Sequence, residues 1–404
     1  MTAQTDNLHA IQRRSPEDDA ALWSRFRGVP GEDAVVTPVH RIRISGQAPQ
    51  RFRFHLNPVL PPDTMRGDVL MRDIWRIGQD RFECAAGQAP WAIDMPSRHF
   101  ADRIHRFDWL PDLYTQGEAG AERARALVDD WIENFGRFHG FAWRTDVAAD
   151  RVWNWMRCGD GLFGVGDEAA IAARMDALAR QARHVTAMLE SGSDTVARWR
   201  GAVVDVAMSV CLFDDADLDG ALMRLESECT AQFQADGGHV SRAPSRGLGG
   251  LLDLLTLSEL LERSEHGVPE FIARWINRVG AMARFFQAGD GALLVFNDGY
   301  ESRPEAVAAA IDRLTAPARR FMVAPKSGFH KLEKDGVLLM LDAGRAPEQP
   351  FGDWAHAGAL AFDLHDGPAR LVTSCASSPE VDVDWQAAVR RTSAHSTLVL
   401  SGHD

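Results

Sequence analysis

The chain has 404 residues, of which 45% are hydrophobic and 25% are charged, the mixture of a folded globular protein rather than a disordered one. The formal net charge of −13 argues against a nucleic-acid binder, which needs a basic surface, but it leaves room for an acidic glycan held in a local basic cleft. The length exceeds the roughly 250–300 residues at which single hydrophobic cores stop growing, so two domains are expected.

The first twenty residues contain no apolar stretch typical of a secretory signal, and no run approaches the roughly 18 apolar residues of a membrane span. From the sequence we therefore expect a cytoplasmic protein without a secretory signal and without a membrane-spanning segment. The five cysteines form no CxxC pair and are predicted to be free thiols. Nothing in the sequence indicates an oligomeric state.

Residues 1–60 are rich in proline, arginine and aromatic residues, and we predict an irregular segment there with a short strand pair at His40–Ile44 and Arg51–His55. Seven tryptophans follow, and two interpretations stay open for them. They fill gaps between helices, or a few of them line a groove and stack on sugar rings. The seven are Trp75, Trp91, Trp109, Trp131, Trp143, Trp153 and Trp155.

From Ala121 onward, apolar residues recur with the 3.6-residue period of amphipathic helices. Short Gly/Asp/Ser segments separate the helices, a pattern typical of antiparallel helical hairpins. We therefore predict a helical, α/α toroid-like domain over residues 61–316. The predicted helices are Ala121–Phe138, Ala149–Arg157, Asp167–Leu189, Asp194–Leu212, Leu218–Phe233, Leu248–Glu262, Val268–Phe286 and Arg303–Leu314.

After Pro317 the pattern changes to short apolar and β-branched runs separated by turn residues, including a hairpin turn at Asp335-Gly336. This predicts an antiparallel β-sandwich over residues 317–404. Because only about six strands fit, we expect the sandwich to be C-terminally incomplete. The predicted strands are Phe321–Ala324, Gly328–Leu332, Val337–Asp342, Leu360–His365, Arg370–Ser374 and His395–Leu400.

One loop motif is the strongest functional signal. The segment DGGHVSRAP, Asp236–Pro244, precedes an apolar helix containing LLDLLTL and presents His239 and Arg242 between two helices. It resembles the loop signature of heparinase II/III-like proteins. Later segments resemble further motifs of that family, in the same order along the chain. They are FDWL (107–110), RVWNWMR (151–157), WAHAGALAF (354–362) and RTSAHSTL (391–398).

The resemblance implies a helical toroid followed by a β-sandwich, and cleavage of uronic-acid polysaccharides by β-elimination. That reaction needs a base for the C5 proton, a partner for the carboxylate and an acid for the leaving oxygen. On this hypothesis His239 is the base or the carboxylate partner, and His356 is the opposing proton-transfer group. The residues expected to bind an acidic polysaccharide are Arg242, Arg246, Arg157, Asn154 and Trp155.

The sequence departs from the family at its catalytic positions. Arg246-Gly247 stands where relatives have a Tyr-His pair, and no Asn-His pair occurs in Gly192–Arg200. The only tyrosines are Tyr114 and Tyr300, and neither lies in a matching motif. The alternative is therefore a family member that binds acidic glycan without cleaving it.

Structural roles compete with each of these assignments. His239 could order its loop through a hydrogen bond, and the arginines could cap helices or form salt bridges. The family also implies a zinc ion, for which His356 and His395 are possible ligands, although Ser374 replaces the expected acidic one. No other cofactor is expected. A third interpretation is a hydrolase whose acid and base come from the carboxylates Asp236, Asp253 and Asp298.

Overall fold

The computed structural model describes residues 38–78, 80–191, 197–317, 321–377 and 383–399. Long helices fill this part of the chain up to Asp312, and a five-stranded sheet follows from Val323. The predicted order, helices first and antiparallel strands after, is confirmed. The domain boundary placed between residues 316 and 317 stays a prediction.

The helices are numbered here in chain order. Several begin at residues that favour helix starts. The Asp63 carboxylate accepts the amide hydrogens of Met65 and Arg66 at the start of α2, and prolines start three of the other helices. The helices are α1 (Pro38–Ile44), α2 (Thr64–Met71), α3 (Arg98–Arg106), α4 (Leu110–Leu113), α5 (Gly117–Phe135), α6 (Thr145–Met156), α7 (Asp160–Phe163), α8 (Glu168–Ser191), α9 (Arg198–Cys211), α10 (Leu218–Gln232), α11 (Pro244–Arg263), α12 (Glu270–Phe286), α13 (Pro304–Asp312) and α14 (Val383–Val389).

Helix α1 corrects one prediction. The alternating pattern in His40–Ile44 predicted a strand, but the segment is helical, and Arg51–His55 forms no strand either. The reason is tertiary packing, because His40 and Ile44 are four residues apart and are both buried on the helix face that contacts α8. Most of the predicted segment 1–60 lies outside the described residues.

The long helices pack around α9, which contacts α6, α8, α10 and α11. Consecutive helices pair as hairpins, with α9 against α10 and α11 against α12, as the short connections predicted. Residues 201–211 of α9 are all buried, so this helix lies at the centre of the core. The buried apolar residues form one contact cluster from Ile44 to Met340. The sheet therefore packs its buried face against the helices in one contiguous core, and the division into two domains stays a prediction.

The seven tryptophans between Trp75 and Trp155 are all buried. Trp131 and Trp155 meet edge to face with ring centroids 5.5 Å apart, and Phe107 packs edge to face on both of them. These rings therefore fill the space between helices, which is the first of the two interpretations left open by the sequence.

The C-terminal sheet is antiparallel throughout, with neighbouring strands in sequence order. Its turn at Asp335-Gly336 has φ of 50° and 85°, the left-handed geometry of a two-residue hairpin, as predicted. Leu338, Met340 and Asp342 alternate toward the helices and are buried. The strands are β3 (Val323–Ala324), β4 (Phe329–Lys334), β5 (Val337–Asp342), β6 (Phe362–Asp366) and β7 (Ala369–Val372).

Several elements differ from the prediction, among them the helices α2, α3, α4 and α7, for which no bounds were predicted. The sixth predicted strand, His395–Leu400, is irregular over residues 395–399, with Leu400 outside the described residues. Helix α14 was not predicted. Nor was a separate two-stranded hairpin of β1 (Ile74–Ile77) and β2 (Asp80–Glu83), whose four-residue strands are too short to give a clear period. Within the described ranges no helix has both the length and the apolar composition that a bilayer crossing requires.

Candidate functional site

A cavity of about 210 Å³ lies between the middle of α6, the start of α9, the end of α10 and the first half of α11, with Phe351 of the β-rich part beside them. Its wall combines three aromatic rings, Trp199, Phe233 and Phe351, with a small set of polar side chains. Such a mixture of apolar wall and few polar groups is typical of small-molecule and sugar subsites. The polar lining residues are Asp150, Arg200, Gln232, His239, Arg246 and Asp253.

The loop that carries His239 is held by its own sequence. Gly237 has φ of +94°, and a Cβ there would lie 2.2 Å from the carbonyl oxygen of Arg278. A Cβ on Gly238 would lie 2.0 Å from the Ser327 hydroxyl. The two glycines therefore let the loop pass between α12 and the sheet, as only residues without a side chain can. This fixes His239 at the cavity wall.

His239 presents one nitrogen to its own loop. The Ser241 amide donates to Nδ1 over 3.1 Å, and the Ser241 hydroxyl lies 2.8 Å from the same atom. Because Nδ1 accepts a hydrogen bond, the proton of the neutral ring is on Nε2. Burial, and secondarily the charge of Arg246, lowers the pKa of His239 to about 3. At neutral pH the ring is therefore an uncharged donor through Nε2.

The charged groups of the cavity are paired with one another. Arg200 donates through Nε to Asp150 over 3.0 Å and through a terminal nitrogen to Asp253 over 2.7 Å. The second oxygen of Asp253 accepts the indole N–H of Trp199 over 2.8 Å. Asp150 also accepts from Arg106. These contacts lock the Arg200 guanidinium between two carboxylates.

Arg246 forms the same kind of pair at the opposite side, where its guanidinium binds the Asp298 carboxylate, with Nε at 3.0 Å. The negative charge of Asp298 also acts on His356, but burial outweighs it and lowers the pKa of His356 to about 4. His239 and Arg246 thus line one cavity. His356, which was predicted as the opposing proton-transfer group, is not among the residues of the cavity wall.

Arg242 does not face the cavity. It is buried, its guanidinium binds the Asp342 carboxylate, and it donates to the carbonyl oxygens of Ser327 and Arg345 over 3.1 and 2.8 Å. It also lies 4.8 Å from the Phe329 ring centroid. Arg242, which was predicted to bind the substrate, therefore links the loop to the sheet. This is the salt-bridge role that the sequence left open as an alternative.

The other predicted binding residues lie along α6. Arg157 donates to the Asn154 amide oxygen over 3.2 Å, and Asn154 donates to the Arg106 carbonyl oxygen over 3.0 Å. The side chain of Trp155 is fully buried against Phe107, so its ring cannot stack on a sugar. For Trp155 the packing interpretation replaces the binding one. Among the described residues, no carboxylate forms a salt bridge with Arg157.

The histidines proposed as zinc ligands lie together, with His356 and His395 ring centroids 5.2 Å apart. His356 Nδ1 and His395 Nε2 are buried without a hydrogen-bond partner. Ser374 is engaged by the Ser396 hydroxyl at 3.2 Å. In the described ranges no three His, Cys, Asp or Glu side chains gather as a metal site. Two imidazoles fall short of the four ligands of structural zinc, so the residues present do not fit that ion.

The two tyrosines differ in position. Tyr114 is packed in the core, while Tyr300 is partly exposed beside α11, its amide donating to the Ser245 hydroxyl over 3.1 Å. Burial raises the pKa of Tyr300, and the charges of Arg246 and Asp253 also act on it, so Tyr300 lies near the cavity although it is not part of the wall. Asp236 accepts the amides of Lys326 and Ser327, each over 2.8 Å, and so serves the loop. The region expected to hold an Asn-His pair lies partly outside the described residues, at 192–196.

Sequence reasoning missed five wall residues that carry a side chain, which are Asp150, Trp199, Gln232, Phe233 and Phe351. They come from separate parts of the chain, and none belongs to a recognisable motif. The nearest signal was Trp199 in the segment RWR, where an aromatic ring lies between two arginines. All five cysteines are free, as predicted.

Three comparisons with known proteins agree with this architecture. Residues 316–404 match the family described as heparinase II/III-like, C-terminal. The chain superimposes on heparinase III with a TM-score of 0.68 at 13% identity, covering 97% of this chain and 70% of that one. It also superimposes on a mutant of the heparan sulfate lyase HepC from Pedobacter heparinus, with a TM-score of 0.56 at 15% identity, covering 96% and 68% of the two chains.

The fold is thus that of the heparin and heparan sulfate lyases, a helical toroid followed by an antiparallel sheet. The family match itself covers residues 316–404, the part that contains the later histidine motifs. A curated relative is FtsZ-localized protein C of Caulobacter vibrioides, 32% identical over 345 residues and 84% of this chain. The chain spans 59% of the length of that relative.

Proposed function

We propose that this protein binds a glycan in the cavity between α6, α9 and α11 without cleaving it by β-elimination. One observation carries the proposal: the Nδ1 atom of His239 is occupied by the Ser241 amide, so the ring presents a proton, not a lone pair, to the cavity. A base must have a free lone pair to remove the C5 proton. His239 is therefore a hydrogen-bond donor to a sugar oxygen.

The other titratable groups of the cavity wall do not replace the missing base. Asp150 and Asp253 are both engaged by Arg200, and a carboxylate held by a guanidinium is a weaker proton acceptor. The position where relatives carry a Tyr-His pair is Arg246-Gly247. A Cβ on Gly247 would meet no atom within 4 Å, so space remains where a side chain is missing.

The relation to polysaccharide lyases and the aromatic wall both support a glycan ligand. Acidic groups of that glycan would be contacted by Arg157. It lies seven residues after Asp150, directly after the last residue of α6, and so roughly 10 Å along the helix axis at 1.5 Å per residue. Unlike Arg200 and Arg246, it forms no salt bridge with a described carboxylate, so its charge is not neutralised by direct pairing.

The test combines binding and turnover on the same samples. Calorimetry with hexasaccharides of uronic-acid polymers should show binding, while ultraviolet absorbance should show no unsaturated product. His239→Ala should weaken binding about tenfold, the effect of one lost hydrogen bond of about 1.4 kcal/mol, and His239→Gln, which keeps a donor, should weaken it less.

Arg274→Gln is the matched control, because Arg274 forms an exposed pair with Glu226 on another face and should bind glycan like the wild type. If the wild type forms unsaturated product and His239→Ala does not, the proposal is contradicted and the lyase hypothesis is favoured. New reducing ends without absorbance would indicate hydrolysis instead.

A second candidate function comes from the 32% identical relative, which is named for its localisation with FtsZ. We propose that this chain also localises with FtsZ. A fluorescent fusion expressed with labelled FtsZ should give coincident midcell bands. A diffuse signal in cells with intact FtsZ bands would contradict it, whatever the outcome of the glycan assays.

A further inference from the structure

A second groove, of about 630 Å³, lies beside the β1–β2 hairpin and shares no lining residue with the cavity at His239. Helix α2 contributes Met65, which is 82% exposed, and Val69, while β1 contributes all four of its residues. The buried indoles of Trp75 and Trp109 meet edge to face, 4.8 Å apart, and form the apolar back of the groove. The groove thus runs between a helix and a strand, as in domains that bind a peptide by adding a strand to a sheet.

One edge of β1 has no strand beside it, because β1 and β2 form a two-stranded sheet by themselves. The Cys84 amide donates to the Asp73 carbonyl oxygen over 2.9 Å. Bonded pairs alternate along an antiparallel ladder, so every second residue of β1, starting with Trp75, bonds to β2. The N–H and C=O groups of Ile74 and Arg76 therefore point away from β2. Among the residues that the structure describes, no backbone hydrogen bond occupies them.

The groove is locally positive in a chain of net charge −13. Its lining has three arginines and two aspartates, which leaves one positive charge; they are Arg66, Arg76, Arg103, Asp68 and Asp108. Asp108 is paired with both Arg66 and Arg103, whereas the exposed Arg76 forms no salt bridge with a described carboxylate. An acidic ligand is therefore favoured over a basic one. It is also favoured over a second copy of this chain, whose own β1 edge carries the same arginine.

We propose that this groove binds an extended acidic peptide as an additional strand beside β1, with its backbone paired to Ile74 and Arg76. Successive side chains of the peptide point to opposite faces. Those on the face of Trp75 are apolar, because they meet the apolar back of the groove. Those on the face of Arg76 are acidic, because opposite charges on neighbouring strands stabilise a sheet. The partner is thus a protein with an exposed segment of alternating apolar and acidic residues, and this site is independent of the glycan cavity.

Fluorescence anisotropy with the full-length chain tests the proposal. The probe is a fluorescein-labelled decapeptide of alternating valine and glutamate, and the matched peptide has lysine in place of glutamate. The valine–glutamate peptide should bind, and the lysine peptide should bind at least about tenfold more weakly. Hydrogen exchange at the Ile74 and Arg76 amides should slow in the complex, because the peptide accepts their hydrogen bonds. No binding of the glutamate peptide, or equal affinity for the two peptides, would overturn the proposal.

Arg76→Pro isolates the backbone contribution. Proline has no N–H, and at this outward-facing edge position it removes none of the bonds between β1 and β2. Arg76→Pro should weaken binding of the glutamate peptide at least about tenfold more than Arg76→Gln does, since the glutamine variant loses the charge and keeps the amide. Met65→Glu puts a like charge in the groove wall without touching the strand, and it should also weaken binding if Arg76→Pro does not fold.

Arg274→Gln, at an exposed pair on another face, is the control and should bind the glutamate peptide like the wild type. Wild-type affinity in Arg76→Pro would overturn the strand pairing. A dimer of the peptide-free chain that Arg76→Pro dissociates, measured by sedimentation equilibrium, would overturn the proposal in favour of a second copy as the occupant.

Discussion

Arg242 is a charge placed in the interior, where the loop after α10 meets the sheet. Its guanidinium reaches Asp342 and two carbonyl oxygens, and its backbone adopts a φ of 61°, which side chains rarely tolerate. Removing one partner of a buried, hydrogen-bonded ion pair lowers the free energy of unfolding, because the charge of the other partner stays buried without compensation.

Replacing Arg242 by Gln should therefore lower the free energy of unfolding by about 3–5 kcal/mol, as measured by chemical denaturation. Arg274→Gln removes an exposed pair and should change it by less than about 1 kcal/mol. Equal stabilities of the two variants would mean that Arg242 is not a structural clamp and would reopen its role as a ligand contact.

Helix α1 is attached to α8 by two buried histidines. His40 Nε2 lies 2.9 Å from His184 Nδ1, and His184 Nε2 lies 2.8 Å from the Trp143 carbonyl oxygen. That carbonyl needs the proton of His184 Nε2, so His184 Nδ1 accepts from His40 and both rings are neutral. Burial lowers the pKa of His40, and it lowers the pKa of His184 to about 3.

This arrangement predicts acid sensitivity with a definite sign. Because the folded-state pKa of His184 lies below the unfolded value near 6.5, its stabilisation is complete above pH 6.5 and is lost as pH falls toward 3, by up to about 1.4 kcal/mol per pH unit. Melting temperatures between pH 7.5 and 5 should fall less steeply in His184→Gln than in the wild type. Parallel slopes would show that this histidine does not titrate on unfolding.

The nearby charges on the elements packed around this pair are Arg43 and Arg151, both cationic, and both oppose protonation of the histidines. Arg43 itself is paired with Glu190 at the surface. Acidification should therefore loosen α1 locally before the rest of the core, which hydrogen exchange of residues 38–44 would detect.

On the scale of the whole molecule, the sheet is not an independent body placed beside the helices. The Phe285 and Phe321 rings stack 4.7 Å apart, and Phe286 and Phe296 both contact Phe329 of β4. The Asp236 carboxylate adds hydrogen bonds from the Ser327 amide and hydroxyl, at 2.8 and 2.7 Å. The cavity wall depends on this docking, because Phe351 comes from the β-rich part.

Asp236→Ala should leave three polar groups of the β3–β4 turn without their acceptor and lower stability by about 2–3 kcal/mol. Hydrogen exchange should increase in β3 and β4 more than in α9. Asp219→Ala, in the first turn of α10, serves as the carboxylate control. Uniform loss of protection across the molecule would indicate global destabilisation instead of undocking.

The sequence by itself determined the order of helices and strands, because long amphipathic periods and a two-residue hairpin turn are local signals. It also identified the His239 loop, since the glycines at Gly237 and Gly238 belong to a motif with fixed spacing. The resemblance to the heparinase II/III-like family rested on that loop and on the later histidine segments, and the family match over residues 316–404 includes the latter.

Only the tertiary structure decided what the site residues do. Arg242 and Asp342 are 100 residues apart in the sequence, and Arg200 and Asp253 are 53 residues apart. No local sequence pattern could therefore reveal that these charges are paired. The same holds for the cavity rings, which come from separate elements. Long-range packing determines which side chains meet. It places Arg242, which was predicted to bind ligand, in a buried ion pair between the loop and the sheet, and it places Trp155 in the hydrophobic core.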